Sequence, residues 1–565
     1  MDYDLKITGG TVIDGTGAAR YRGDVAIRDG RIAAVGAAPG SAEQTIDADG
    51  CVVAPGFIDI HTHYDAQVMW DQMLTISPWH GVTTAVMGNC GFGVAPAKPD
   101  HRRLLMQTLE NVEGMSYEAL EEGLEAWPFE SFAEYLDAID RRGTAINVGV
   151  MVGHSAVRLH VMGLDSTERT ANADEVAAMA QIVGDATAAG ALGFSSSTSR
   201  LHVGFAGKPV PSRLADMATE TIPLAAAVGR NGGGIVQITT GIEPDFAAFE
   251  KLAQAAGGVT WTALLTRIGN DALHEHHRDE AAKQHALGLP IFPQVSCRPL
   301  MMEFQFAAPF PFDRLDSFTP AAVVDRAGKM RLFADPAFRA TVKRELSDGP
   351  ATEPQTWALI MALQALEVST CAEHPGLDGR LVPEIAAERG VDPLDLTLDL
   401  AVASDLETRF RIPLANTNQT AIASLLTEPF TVLGLSDAGA HASQLCDACF
   451  ATDLLGRWVR DKGALTLEQA IDHLCARPAA VFGLAGRGRL AVGHAGDVVV
   501  FDPETVAAGP LERVHDLPAG ADRLISAPTG IRAVVVNGTI IRRDNETALG
   551  PDDAMPGHLI RHAVN

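Results

Sequence analysis

The alternation of apolar and polar positions divides the chain into three zones. Over residues 1–54, short apolar alternations at 4–8, 11–15, 24–27 and 31–35 are separated by Gly9-Gly10 and Arg28-Asp29-Gly30. Strand, Asp-Gly turn, strand is a hairpin signature, so this stretch predicts a small β unit. From Pro55 the pattern changes. Apolar runs at 57–60, 84–87, 147–152, 192–195, 235–239, 260–265, 290–294 and 431–435 alternate with amphipathic stretches such as 174–189, 213–231, 245–256 and 276–287. Eight β-type runs with helices between them predict a parallel (β/α)8 barrel of the TIM type over 55–484. β-type patterning returns at 498–501, 531–536 and 539–541, with Asn537-Gly538 as a tight turn. Each terminal piece is too short to bury a core alone, so 1–54 and 485–545 predict one small β-sandwich. Residues 546–565 are expected to form a surface tail.

Two stretches are too long for simple crossovers, one near 98–142 and one near 296–363. Long insertions in a barrel usually sit over the active face. The second carries Phe304, Phe306, Phe310 and Phe312. That composition fits a packed core as well as a wall for an aromatic or acyl group.

Composition narrows the partners. The 565 residues are 47% hydrophobic and 20% charged, a folded balance. With 44 Lys+Arg against 71 Asp+Glu, the formal charge is −27. Such a surface repels phosphate backbones and anionic headgroups, which excludes nucleic acid and membrane as main partners and leaves a small-molecule substrate. Seven cysteines at irregular spacing form no disulfide framework. Met1-Asp2-Tyr3-Asp4-Leu5-Lys6 lacks the basic start and apolar run of a signal peptide, and no apolar run is long enough to cross a bilayer. A cytoplasmic protein is the expectation. A homo-oligomer is compatible with this class, with no sequence feature that specifies one.

Candidate chemistry gathers at the ends of the barrel-type runs. His61-Thr62-His63 directly follows 57–60. Alternate side chains of a strand share a face, so both imidazoles point the same way and can grip a divalent metal at the barrel mouth. Cys90, in Gly88-Asn89-Cys90-Gly91, follows the next run and offers a thiolate ligand or a small buried thiol. Asp437, in Ser436-Asp437-Ala438-Gly439, follows the last run. An acid there can touch a metal and accept a proton from the attacking water, or simply form a turn. His441 is placed to orient Asp437 or the substrate, or to cap a helix. His154 and Arg158 follow the third run, as a ligand and a carboxylate clamp, or as a structural histidine and an ion-paired arginine. Cys446-x-x-Cys449 lacks a second cysteine pair and reads as packing. His274-Glu275-His276-His277 reads as a solvated helix face.

Taken together, these strings resemble the amidohydrolase superfamily, and within it the D-aminoacylase (N-acyl-D-amino-acid deacylase) branch. The likeness rests on Pro55-Gly56-Phe57-Ile58-Asp59-Ile60-His61-Thr62-His63, Gly88-Asn89-Cys90-Gly91, Gly153-His154-Ser155-Ala156-Val157-Arg158 and Ser436-Asp437, and it covers most of the chain. The resemblance implies a metal-dependent barrel hydrolase that cleaves an amide or another C–N bond. It implies His61 and His63 as first-strand ligands of a divalent metal, zinc by default, Cys90 as the branch's thiolate ligand, and Asp437 as ligand and catalytic base. The branch also carries a histidine on its fifth and sixth strands. Here Ile235-Val236-Gln237-Ile238-Thr239-Thr240 and Trp261-Thr262-Ala263-Leu264-Leu265-Thr266 have none. One ion on His61, His63, Asp437 and Cys90, or a site of one or two ions completed by His154 or His441, both remain open. Two alternatives stand beside deacylation. One is opening of a cyclic amide, imide or lactone with a single metal; the other is a metal-free, non-catalytic binding protein.

Overall fold

The architecture was analysed in a computed structural model, which describes all residues except 242–243, 314, 349–353, 551–552 and 563–565. Parts of the expected second insertion and of the expected tail therefore lie outside the described residues. The chain divides into two compact units.

The first unit comprises 1–264, 277–297 and 423–565. Its centre is a run of eight parallel strands: β1 (Phe57–Asp59), β2 (Val82–Met87), β3 (Asn147–Gly153), β4 (Gly193–Ser197), β5 (Gly234–Thr239), β6 (Gly257–Thr262), β7 (Ile291–Val295) and β8 (Val432–Leu433). Neighbours in sequence are neighbours in the sheet. The first and last strands meet just past their ends, where Thr62 and Ala438 form a parallel bridge and His63 N–H donates to Ala438 O at 2.7 Å. The strands are buried along almost their whole length, because a barrel interior and a helical outer layer cover both faces. Ile58, Val86, Met151, Leu192, Ile235 and Val432 share one core cluster.

Both termini join one nine-stranded sheet, as expected from two pieces that each lack a core. Val498–Phe501 pairs antiparallel with Val52–Pro55, so the C-terminal piece docks beside the N-terminal one. Leu5, Ile7, Val25, Ile27, Val498, Val500, Ala533 and Val535 bury one common face. The chain end departs from the expected surface tail. Leu559–Ile560 pairs in parallel with β3 at Val148 and Gly149, and Val148 N–H donates to His558 O. Two residues of extended backbone suffice to satisfy that edge, a signal too short to stand out in sequence.

The segment 98–142 forms three helices, α1 (Arg102–Glu113), α2 (Tyr117–Gly123) and α3 (Phe132–Arg142). Ser131 and Glu134 close a reciprocal capping box at the start of α3. The helix Asp271–Ala286 corrects the solvated reading of its histidines. It turns His274 and His277, three residues apart, inward and leaves Glu275 and His276 exposed.

The second unit comprises 265–276 and 298–422, a longer insertion than 296–363. Strands Glu367–Thr370 and Arg409–Ala415 lie beyond residue 363, yet they pair in a four-stranded sheet with Leu300–Gln305. Phe304, Phe306 and Phe312 are buried with Phe318, Phe333 and Phe410, and Phe310 packs against them. Phe312 and Phe318 stack with ring centroids 4.7 Å apart. The phenylalanines are this unit's own core.

Candidate active site

β1 ends at Asp59, and the next residues stay extended. Asp59 accepts the His61 N–H at 3.2 Å, and Thr62 Oγ1 donates to Val86 O at 2.9 Å. Thr62 is thus tied to β2, which leaves His61 and His63 to point together on the other side, 5.4 Å apart ring to ring. The loop after β2 brings Cys90 beside them in a left-handed conformation, φ 57°. Such a backbone is strained for cysteine and persists only where its surroundings hold it. Gln237 on β5 accepts the Cys90 N–H at 2.6 Å, and Ser195 on β4 accepts the Gly91 N–H at 3.0 Å. Gly88 is required there, because its φ is 81° and a Cβ would lie 2.1 Å from Met151 O. Thr239 Oγ1 donates to Cys90 Sγ at 3.2 Å, and Thr262 Oγ1 donates to Thr239 Oγ1 at 2.9 Å. These hydroxyls come from the fifth and sixth strands.

Asp437 also adopts a positive φ, 46°. Ser436 anchors its turn by donating Oγ–H to His61 O at 2.9 Å. The four expected residues converge. Donor atoms of His61, His63 and Cys90 all lie within 4.8 Å of one another. His61 Nε2 is 3.4 Å from Cys90 Sγ and 3.2 Å from Asp437 Oδ1, and His63 Nε2 is 3.8 Å from the same oxygen. Donors sharing one zinc ion at 2.0–2.3 Å stand roughly 3–4 Å apart, so this spacing fits one ion.

The electrostatics point the same way. Burial pushes His61 down to about 4 and His63 well below the usual imidazole range, so both are neutral and able to ligate. Burial pushes the Cys90 thiol well up, with Glu113 and Asp437 adding to it. Burial raises Asp437, partly offset by His441. Burial also raises Glu113, with Asp437 and Asp65 adding to it. Among the described residues, the basic side chains that face Asp437 and Glu113 are histidines, which burial keeps neutral. A buried thiol, two carboxyls and two neutral imidazoles at one point are costly alone, and a divalent cation offsets that cost. Asp437 keeps 22% of its side chain exposed while His61 keeps 1%. The acid is therefore the member that incoming solvent or substrate reaches.

Three other expected residues fall differently. His441 lies beside this cluster, with Nδ1 3.3 Å from Gln444 Oε1. His154 and Arg158 are fully buried in an internal ion network. His154 binds Ser196 Oγ through Nδ1 and Glu220 Oε1 through Nε2, each at 2.9 Å. Arg158 Nη1 reaches both oxygens of Glu220 at 2.5 Å, and Nη2 donates to the carbonyls of Ser166 and Arg169. Burial opposes the Glu220 charge, but His154 and Arg158 hold its carboxyl below the usual range. Both are buried and the carboxylate they hold is Glu220, so the substrate-clamp reading gives way to the structural one. Cys446 and Cys449 are buried, and Cys449 Sγ donates to Cys446 O.

Sequence reasoning missed Glu113, Gln237 and Gln294. Gln294 Oε1 meets His61 Nδ1 at 2.8 Å, and Glu113 Oε1 lies 3.4 Å from His63 Nδ1. An amide inside an otherwise apolar barrel strand was the available signal for both glutamines. Nothing local marks Glu113.

Eight parallel strands that deliver imidazole, thiol and carboxyl donors from their C-terminal ends define a barrel hydrolase. The chain belongs to the amidohydrolase family, whose profile matches residues 44–542. It is 30% identical to the D-aminoacylase of Alcaligenes xylosoxydans xylosoxydans, an alignment covering 95% of this chain and 94% of that one. It is 30% identical to the N-acyl-D-glutamate deacylase of the same organism, over 99% and 96% of the two chains. Among solved structures, the N-acyl-D-glutamate deacylase of Bordetella bronchiseptica superposes with a TM-score of 0.67 at 27% identity, covering 100% of both chains. That relative was crystallised with zinc and a phosphonate that mimics the tetrahedral intermediate of its reaction. Family membership makes this chain a hydrolase of C–N bonds. Among the described residues, no helix is long and apolar enough to cross a membrane.

Proposed function

We propose that this protein hydrolyses the amide bond of an N-acyl-D-amino acid, with one divalent ion held by His61, His63, Cys90 and Asp437. The observation that carries the reading is the gathering of the His61, His63 and Cys90 donors within 4.8 Å of one another, with Asp437 Oδ1 3.2 Å from His61 Nε2 and 3.8 Å from His63 Nε2. Zinc suits a mixed imidazole, thiolate and carboxylate set. When bound there, the ion polarises the scissile carbonyl and lowers the pKa of the attacking water. Asp437, the most exposed of the four, takes the proton from that water and returns it to the leaving nitrogen. His61 and His63, kept neutral by burial, hold their places without competing for that proton. The D configuration of the substrate is supported by the likeness to D-aminoacylase and N-acyl-D-glutamate deacylase.

The test combines metal analysis with a substrate panel. Protein purified without chelator should hold about one equivalent of zinc, and should release free amino acid from N-acyl-D-amino acids in preference to their L counterparts. Turnover confined to cyclic imides or lactones would overturn the substrate. Absence of metal, with no rise in melting temperature on adding zinc, would overturn the site.

A further inference from the structure

α1 ends on a residue that its own helix cannot explain. Its buried face consists of Leu105, Met106, Thr108, Leu109, Val112 and Glu113. A carboxyl on the apolar face of an amphipathic helix is costly unless something nearby compensates it. Among the described residues, the basic side chain that faces Glu113 is His63, with Oε1 3.4 Å from Nδ1. The backbone is committed to the same place. Glu113 O accepts the His441 N–H, and Gly114 closes the helix at φ 58°. A Cβ on Gly114 would lie 3.2 Å from His441 Nδ1 and 3.1 Å from Gln444 Oε1, so the helix end is pressed against the loop that follows Asp437.

The other ring supplies the comparison. His61 is braced through Nδ1 by Gln294, which leaves Nε2 facing Cys90 and Asp437. His63 likewise turns Nε2 toward Asp437 and Nδ1 toward Glu113. We propose that Glu113 is the positioning residue for His63: its carboxylate accepts the Nδ1–H and aims the Nε2 lone pair at the point shared by His61, Cys90 and Asp437. Inserted helix α1 is thereby part of the metal site, although it lies far in sequence from every ligand except Cys90. The inference rests on the reading that this point holds a divalent ion.

The experiment measures zinc affinity of the full chain by competition with a chromophoric chelator, and the visible spectrum of the cobalt(II)-loaded protein. Glu113→Gln keeps volume and an acceptor oxygen but removes the charge, whereas Glu113→Met removes the acceptor. Outer partners of this kind typically set affinity by 10–100-fold. Glu113→Met should weaken zinc by roughly that factor and Glu113→Gln by about three- to tenfold, with the cobalt coordination number unchanged. In a His63→Ala background, neither substitution should weaken zinc further, which a general loss of structure would not reproduce. Zinc affinity within twofold of the parent in Glu113→Gln overturns the proposal even if Glu113→Met fails to fold. So does an effect that persists without His63, or a lost cobalt ligand in Glu113→Gln. If His63→Ala itself binds zinc as tightly as the parent, the metal-site reading has failed instead.

Discussion

Gln237 offers the sharpest test of how the barrel holds its thiol. The side chain is fully buried. Its Oε1 accepts the Cys90 N–H at 2.6 Å, and its Nε2 donates to Thr239 Oγ1 at 3.2 Å and Thr262 Oγ1 at 3.3 Å. Gln237→Leu keeps most of the volume and removes all three bonds. Stranding a buried N–H costs about 1–3 kcal/mol, and two long hydrogen bonds add about 0.5–1 kcal/mol each. The loss is therefore about 2–5 kcal/mol. It falls on a loop already held at φ 57°, a conformation that costs about 1–3 kcal/mol and relaxes once its tether is gone. The Cys90 loop should open locally while the barrel stays folded. Opening free energies lower by about 2–5 kcal/mol raise the open population roughly 30- to 4000-fold, at tenfold per 1.4 kcal/mol. Alkylation of chelator-stripped protein, read by peptide mass spectrometry, resolves Cys90 from the other buried thiols. Cys90 should react faster by at least the lower factor, with Cys475 and Cys297 unchanged as internal standards. An unchanged Cys90 rate in a folded Gln237→Leu protein would refute the claim that the strand-borne amide holds the ligand loop.

Asp437→Asn should lower turnover by about 10²–10⁴-fold while zinc, assayed by elemental analysis, remains with His61, His63 and Cys90; activity at the parent level would remove Asp437 as base. Arg158→Met should destabilise the fold by about 3–5 kcal/mol by leaving Glu220 short of its partner, without altering KM in the surviving folded protein; a raised KM with intact stability would restore the carboxylate-clamp role. Burial, with Arg477 adding to it, pushes His473 down to about 3 from 6.5. Above pH 6.5 the folded and unfolded forms are both neutral there, and its contribution to stability is complete. As pH falls, the unfolded chain takes up the proton first, and stability drains until about pH 3. At pH 5 the loss is about 2 kcal/mol, at 1.36 kcal/mol per unit. His473→Gln, which still offers a donor to Leu426 O, should flatten the difference between unfolding midpoints at pH 7 and pH 5; an equal difference in parent and variant would refute the assignment.

Much of this protein was legible as text because its key elements are local. His61, Thr62 and His63 alternate about an extended backbone, so their shared direction follows from strand geometry alone. Cys90 sits between glycines, and Asp437 lies in a small-residue turn after an apolar run, so each announces a strand end. The eight apolar runs, the helical stretches between them and the lack of a core in either terminal piece likewise follow from periodicity and length. Tertiary structure decided what depends on meetings across the chain. His154 and Arg158 carry the right chemistry for a substrate clamp, but Glu220, more than sixty residues away, takes their hydrogen bonds. Glu113 looks like one more surface acid until its helix turns it inward against His63. Strands past residue 363 read as barrel until Arg409–Ala415 pairs with Leu300–Gln305 and Glu367–Thr370 pairs with Arg409–Ala415. Local patterning sets which way a side chain faces on its own element. Which distant group it meets there, and hence its charge and role, depends on packing that no short window of sequence contains.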